Sequence, residues 1–103
     1  MLELAGYEVV PASDGYEAIL AAYAYTPDLI IIDLRLPGLD GFEVIEKLRA
    51  HPSTALIPII ATSAWAGEDY REKSLALGAN AHLTTPVEIS RLIEAIKQYL
   101  VEK

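Results

Sequence analysis

The sequence predicts a single α/β domain built on a parallel sheet, and three observations carry that prediction. Two apolar runs, "LIIID" at 29–33 and "LIPIIATS" at 56–63, are unbroken rather than alternating, which implies cover on both faces of the strands. Strand-like and helix-like segments alternate four times along the chain. Finally, 103 residues with 52% hydrophobic side chains suffice for one core and are too few for two.

The elements follow in order. "YEVVPA" at 7–12 is β-branched and partly alternating, and Pro11 confines it to an edge or a strand end. A helix from about Asp14 runs to Tyr25, with "SDG" supplying its N-cap and Thr26-Pro27 stopping it. After the strand at 29–33, a helix over 41–51 carries Phe42, Val44, Ile45 and Leu48 at helical spacing and ends at His51-Pro52. The strand at 56–63 leads to a more polar helix over 67–77, closed by Gly78 as a left-handed C-cap. A short strand at 81–84 precedes an amphipathic helix over 87–101, with Ile89, Leu92, Ile93, Ile96 and Leu100 on one face.

Composition narrows the function classes. A net charge of −7 with only eight Lys and Arg disfavours direct contact with nucleic acid, whose phosphates attract basic patches. The absence of cysteine excludes disulfides, thiolate zinc sites and cysteine nucleophiles. No apolar run approaches the roughly 18 residues of a membrane span, and Met1 opens no signal-like segment, so the expectation is a soluble, cytoplasmic protein.

In open α/β sheets, ligands bind beyond the carboxyl ends of the strands. Asp33, Ser63, and Thr84 with Thr85 fall at such ends, and a carboxylate and hydroxyls on one rim suit a phosphoryl group. Asp33 stands out, because desolvating a carboxylate costs several kcal/mol unless something pairs with it.

The segments "AGYEVVPASDGYEAI", "PDLIIIDLRLPGLDGFEVI", "IPIIATSAW" and "GANAHLTTPV" together resemble a receiver domain of the bacterial two-component response regulators, across essentially the whole chain. The resemblance implies a flavodoxin-like sheet and a signalling module rather than an enzyme. It implies that Asp33 is the phosphoacceptor, charged from a histidine kinase or phosphotransfer protein, and that the Arg35 backbone carbonyl contacts a Mg²⁺ ion. By the same resemblance Ser63 binds the new phosphoryl oxygens and His82 holds the aromatic switch position. Trp65, two places after Ser63, either covers the site or packs on its loop.

The sequence departs from the family twice. The family opens with a strand ending in a pair of acids, the main Mg²⁺ ligands, and then a helix. Here "MLELAGYEVV" reads as that helix's last turn, so that four strands remain of five and roughly 20 residues are lacking. The family's lysine before a proline is replaced in "LTTP" by Thr85, which removes a fixed positive charge. Mg²⁺ binding is therefore expected to be weak or absent. The lost strand is central in the family. One remedy moves 7–12 beside 29–33, giving a singly wound order with three helices on one face and bringing Asp14 toward the vacated ligand position. The half-covered opposite face then implies a homodimer, or exchange of elements between copies.

Other residues carry plainer readings. Asp40 caps the helix that begins at Gly41, His51 suits a helix end, and Tyr16, Tyr23 and Tyr25 are packing and surface residues. Three alternatives stay open beside the phosphorylation-modulated receiver. One is a phosphorylation-independent pseudo-receiver and another a truncated or engineered fragment. The last is a small phosphatase or hydrolase with Asp33 as nucleophile, for which the sequence shows no second general acid, Walker-type loop or Ser-His pairing.

Overall fold

A computed structural model of the chain describes residues 2–4, 7–12, 15–35, 40–63, 68–84 and 89–100. The elements run β1 (Leu2–Leu4), β2 (Tyr7–Ala12), α1 (Gly15–Tyr25), β3 (Leu29–Asp33), α2 (Gly41–Ala50), β4 (Ile59–Ser63), α3 (Glu68–Leu77), β5 (Ala81–Thr84) and α4 (Ile89–Leu100). They form one five-stranded sheet in the order β1-β2-β3-β4-β5. The α/β class is as expected, with β2 to β5 parallel and helices on both faces.

The first residues correct one expectation. Leu2–Leu4 is not the end of a helix but an antiparallel edge strand, with Leu2 opposite Val9 and Leu4 opposite Tyr7. Three residues cannot close the bonded turns of a helix, and pairing with β2 makes them a strand. The described strands thus number five rather than four.

The relocation of 7–12 is observed. β2 lies directly beside β3, pairing Val9 with Leu29 and Ala12 with Ile32. Ile30 and Ile32 of β3, with Ile59 and Ala61 of β4, face α1, α2 and α3 through Ala22, Val44, Ile45 and Leu48 and the flanking Ile19, Tyr70 and Leu75. Leu29 and Ile60 face the other way, against Leu92, Ala95, Ile96 and Tyr99 of α4. Three helices cover one face and a single helix the other, and Ile31 on the α4 side is only partly buried.

The strand β4 is shorter than the apolar run 56–63 suggests. Leu56 is 94% exposed, and the ladder to β3 begins only where Ile30 N donates to the Pro58 carbonyl. The reason is Arg49, whose guanidinium binds the carbonyls of Thr54, Ala55 and Ile57 through Nη1. The same side chain binds the Gly78 carbonyl through Nε and Asn80 Oδ1 through Nη2. These bonds curl the segment after α2 away from the sheet and tie it to the turn before β5. Burial pulls the Arg49 pKa below its ordinary value, so the carbonyls must compensate for lost water.

Gly78 sits at φ 122°, as a left-handed cap requires, and a Cβ there would lie 2.6 Å from Arg49 Cγ. Gly78→Ala therefore meets backbone strain and a displaced Arg49 together. The expected loss is about 2 to 3 kcal/mol of folding stability, read from the urea midpoint. Arg49→Lys, which keeps the charge but cannot span five acceptors, should lose a similar amount.

Candidate functional site

The carboxyl ends of β2 to β5 form a rim, and each described end presents a different group. Asp33 pairs with Thr62 in register, and Leu34 N continues the ladder by donating to the Thr62 carbonyl. The backbone beneath Asp33 is thereby fixed on both sides of the residue. Its side chain is exposed, and Oδ1 accepts the Arg35 backbone N–H at 2.8 Å, which orients the carboxylate against its own loop.

The next helix is seated on this loop. Gly41 N donates to the Leu34 carbonyl, and a Cβ on Gly41 would lie 2.5 Å from Leu34 Cα and 2.9 Å from the Asp33 carbonyl oxygen. Only glycine permits that approach. Asp40 caps the helix as expected, its Oδ1 accepting Glu43 N at 2.9 Å. Phe42 in the first turn of α2 stacks on Tyr70 of α3, and Lys73 Nζ lies 4.4 Å from the Phe42 ring centre.

Ser63 ends β4 and is 2% exposed. Its Oγ lies 2.9 Å from Nε2 of His82, itself 8% exposed. The register explains the meeting: His82 lies opposite Ala61, a small residue that leaves room for the ring, and diagonal to Ser63 on the same face. Burial, and secondarily the nearby positive charge of Arg71, hold the His82 pKa below its ordinary value. This contact overturns the expectation that no serine and histidine pair. The pair is buried, and so does not offer the exposed nucleophile that a hydrolase needs.

Asp14, Trp65 and Thr85 lie outside the described residues, so the rim is built here from Asp33, Arg35, Ser63, His82 and Thr84. The histidine and tyrosine readings sharpen. His51 caps the end of α2, stacks on Tyr23 at 4.2 Å, and its Nδ1 accepts Ser53 N. Tyr16, Tyr23 and Tyr25 are exposed, as a surface role requires. Sequence reasoning missed Arg49 and the Phe42–Tyr70–Lys73 contact. A lone arginine inside an amphipathic helix reads as surface, and the partners of Phe42 lie on another element.

Among the described residues no group of three His, Asp or Glu could hold a metal ion. At this rim the described donors are the Asp33 carboxylate, which accepts the Arg35 N–H, and the Arg35 carbonyl.

A parallel sheet layered between helices, with an exposed acid at one strand end and a serine at the next, is the frame that comparison with known proteins then places in a family. The response regulator receiver domain family matches residues 1–97, and the chain belongs to that family. It is a module of two-component signalling. It is 36% identical over 100 residues to the polar-differentiation response regulator DivK of Brucella anthropi, covering 97% of this chain and 81% of that one. Among solved structures it resembles a putative response regulator from Chloroflexus aurantiacus, with 36% identity and a TM-score of 0.85 over 94% of this chain and 80% of that one. It also resembles the receiver domain of the sensor histidine kinase PA1611 from Pseudomonas aeruginosa, with 33% identity and a TM-score of 0.82 over 93% of this chain and 79% of that one. That structure holds a magnesium ion in its active-site cleft. No described helix is long and apolar enough to cross a membrane.

His82 binds a proton more weakly in the folded chain than in the unfolded one. Its contribution to stability is complete above about pH 6.5 and is lost as pH falls below that value, because there the unfolded state takes up more protons. Chemical denaturation across that range should show stability falling toward acid, with a shallower slope in His82→Gln.

Proposed function

We propose that the chain is a single receiver domain whose phosphoacceptor is Asp33, working in the cytoplasm by phosphorylation-modulated contact with other proteins. The observation that carries this reading is the placement of Asp33: exposed, one residue past the buried β3 core, with its carboxylate oriented by the Arg35 N–H. A carboxylate oxygen attacks the phosphorus of a phosphohistidine on a kinase or phosphotransfer protein. The P–N bond breaks, its electron pair stays on the leaving imidazole nitrogen, the imidazole takes a proton from solvent, and an acyl phosphate remains on Asp33. The Ser63 hydroxyl, on the neighbouring strand end, then donates to a phosphoryl oxygen, and Thr85 stands where the family carries lysine. The added charge of about −1.5 to −2 is the signal.

Mg²⁺ binding is expected to be weak or absent, with Asp33, the Arg35 carbonyl and, as a relocated ligand, Asp14 as its donors. That short donor set favours a second reading, a receiver that docks partners without being phosphorylated. Incubation with a small phosphodonor and excess Mg²⁺ separates the two. The first reading expects a base-labile mass gain of one phosphoryl group that vanishes in Asp33→Asn. No gain at any Mg²⁺ level leaves the second.

The uneven helix layers support a homodimer that buries the α4 side of the sheet. Light scattering at micromolar concentration should give twice the chain mass, and a monomer would remove that part of the proposal.

A further inference from the structure

Helix α1 has the reverse of the usual surface pattern. Its small residues Gly15 and Ala22 are buried, while Tyr16, Leu20 and Tyr23 are 58%, 68% and 37% exposed. Of its eleven residues only Glu17 is charged. The other three helices turn charged side chains such as Glu46, Glu72 and Lys97 to the outside. A helix that is apolar on every side is ordinarily a covered one.

Positions 16, 20 and 23 are spaced i, i+4 and i+7, so the three side chains form one stripe along the outer face. At its far end Tyr23 stacks on His51, with 4.2 Å between ring centres, which ties the stripe to the end of α2. A stripe with this spacing is the surface that one helix offers to another.

We infer that the α1 stripe docks an amphipathic helix of another protein, apolar on one face and basic along its flanks. Charge selects the flanks: the exposed charged groups of α1 and the adjoining α2 are Glu17, Glu43 and Glu46 against Lys47, on a chain of net charge −7. Area selects a single helix. With about 200 Å² for a large side chain, the stripe exposes roughly 300 Å², well under the ~800 Å² that each partner gives to a stable dimer. A second copy would also bring the same acidic surroundings against themselves. A membrane surface fits less well, since anionic headgroups repel such a chain and α1 lacks the Lys and Arg that hold helices to lipid. The stripe is separate from the α4 side of the sheet, because α1 packs on the opposite face with α2 and α3, and docking there goes beyond the phosphoacceptor reading of Asp33.

The test titrates the full ¹⁵N-labelled chain with a synthetic helical peptide of about four turns, carrying Leu along one face and Lys and Arg beside it. Amide shifts should saturate and centre on α1. A scrambled peptide of the same composition, and one with Glu in place of Lys and Arg, should each bind about tenfold more weakly or worse. Leu20→Gln, exposed and still a good helix former, should weaken the original peptide by about tenfold. Leu56→Gln, at a side chain 94% exposed but outside the stripe, should bind as the unaltered chain does.

Absence of saturable binding overturns the inference, as do equal binding of the scrambled or acidic peptide and a shift pattern that leaves α1 unmoved or survives Leu20→Gln. Self-association of the chain alone that Leu20→Gln abolishes assigns the stripe to a second copy. Binding to phosphatidylcholine–phosphatidylserine vesicles that the same change abolishes assigns it to a membrane. Either result also overturns the docking of a foreign helix.

Discussion

Burial of β3 on both faces is the constraint on which the remaining structure depends. Ile30 and Ile32 are enclosed by three helices and Leu29 by the fourth, so the strand can be stabilised only in the middle of a layered sheet. Each buried branched side chain contributes about 1.5 to 3 kcal/mol relative to exposure, so the strand is held by its cover on both faces. Once that strand is fixed, its last residue has nowhere to go but the rim. The exposed acid is a consequence of the greasy run before it, and the sharp change from Ile32 to Asp33 is where packing gives way to chemistry.

From that point the site is held by backbone more than by side chains. Thr62 clamps the residue after Asp33, Arg35 N–H orients the carboxylate, and Gly41 lets α2 close on the loop. At the opposite end of the sheet, Arg49 performs a corresponding task by gathering four carbonyls and an amide oxygen from two separate turns. The two ends divide the work: stability is concentrated at the Arg49 end, and the rim keeps an exposed carboxylate.

Much of this was legible from residue order. The unbroken "LIIID" run announced a two-sided strand, and Asp40 announced its cap because its chemistry is local. The side-by-side placement of β2 and β3 was among the arrangements the residue order allowed. What could not be read depended on contacts between distant segments. Arg49 shortens β4 by capturing carbonyls several residues downstream, and no periodicity records such a competition. His82 and Ser63 are 19 positions apart and meet only because β4 and β5 are in one register. The opening "LEL" is too short to carry a period of its own, and only pairing with β2 makes it a strand.

The strand order has a consequence for how the chain is made. Because β1 to β5 lie side by side in the order of synthesis, no later strand must be threaded between two earlier ones. Each parallel pair closes over a single helix, so loop-closure entropy is spread over short steps. A growing chain can therefore add to one edge of a partly formed sheet as it emerges, with Asp33 set in place before the serine and histidine that will face the rim beside it.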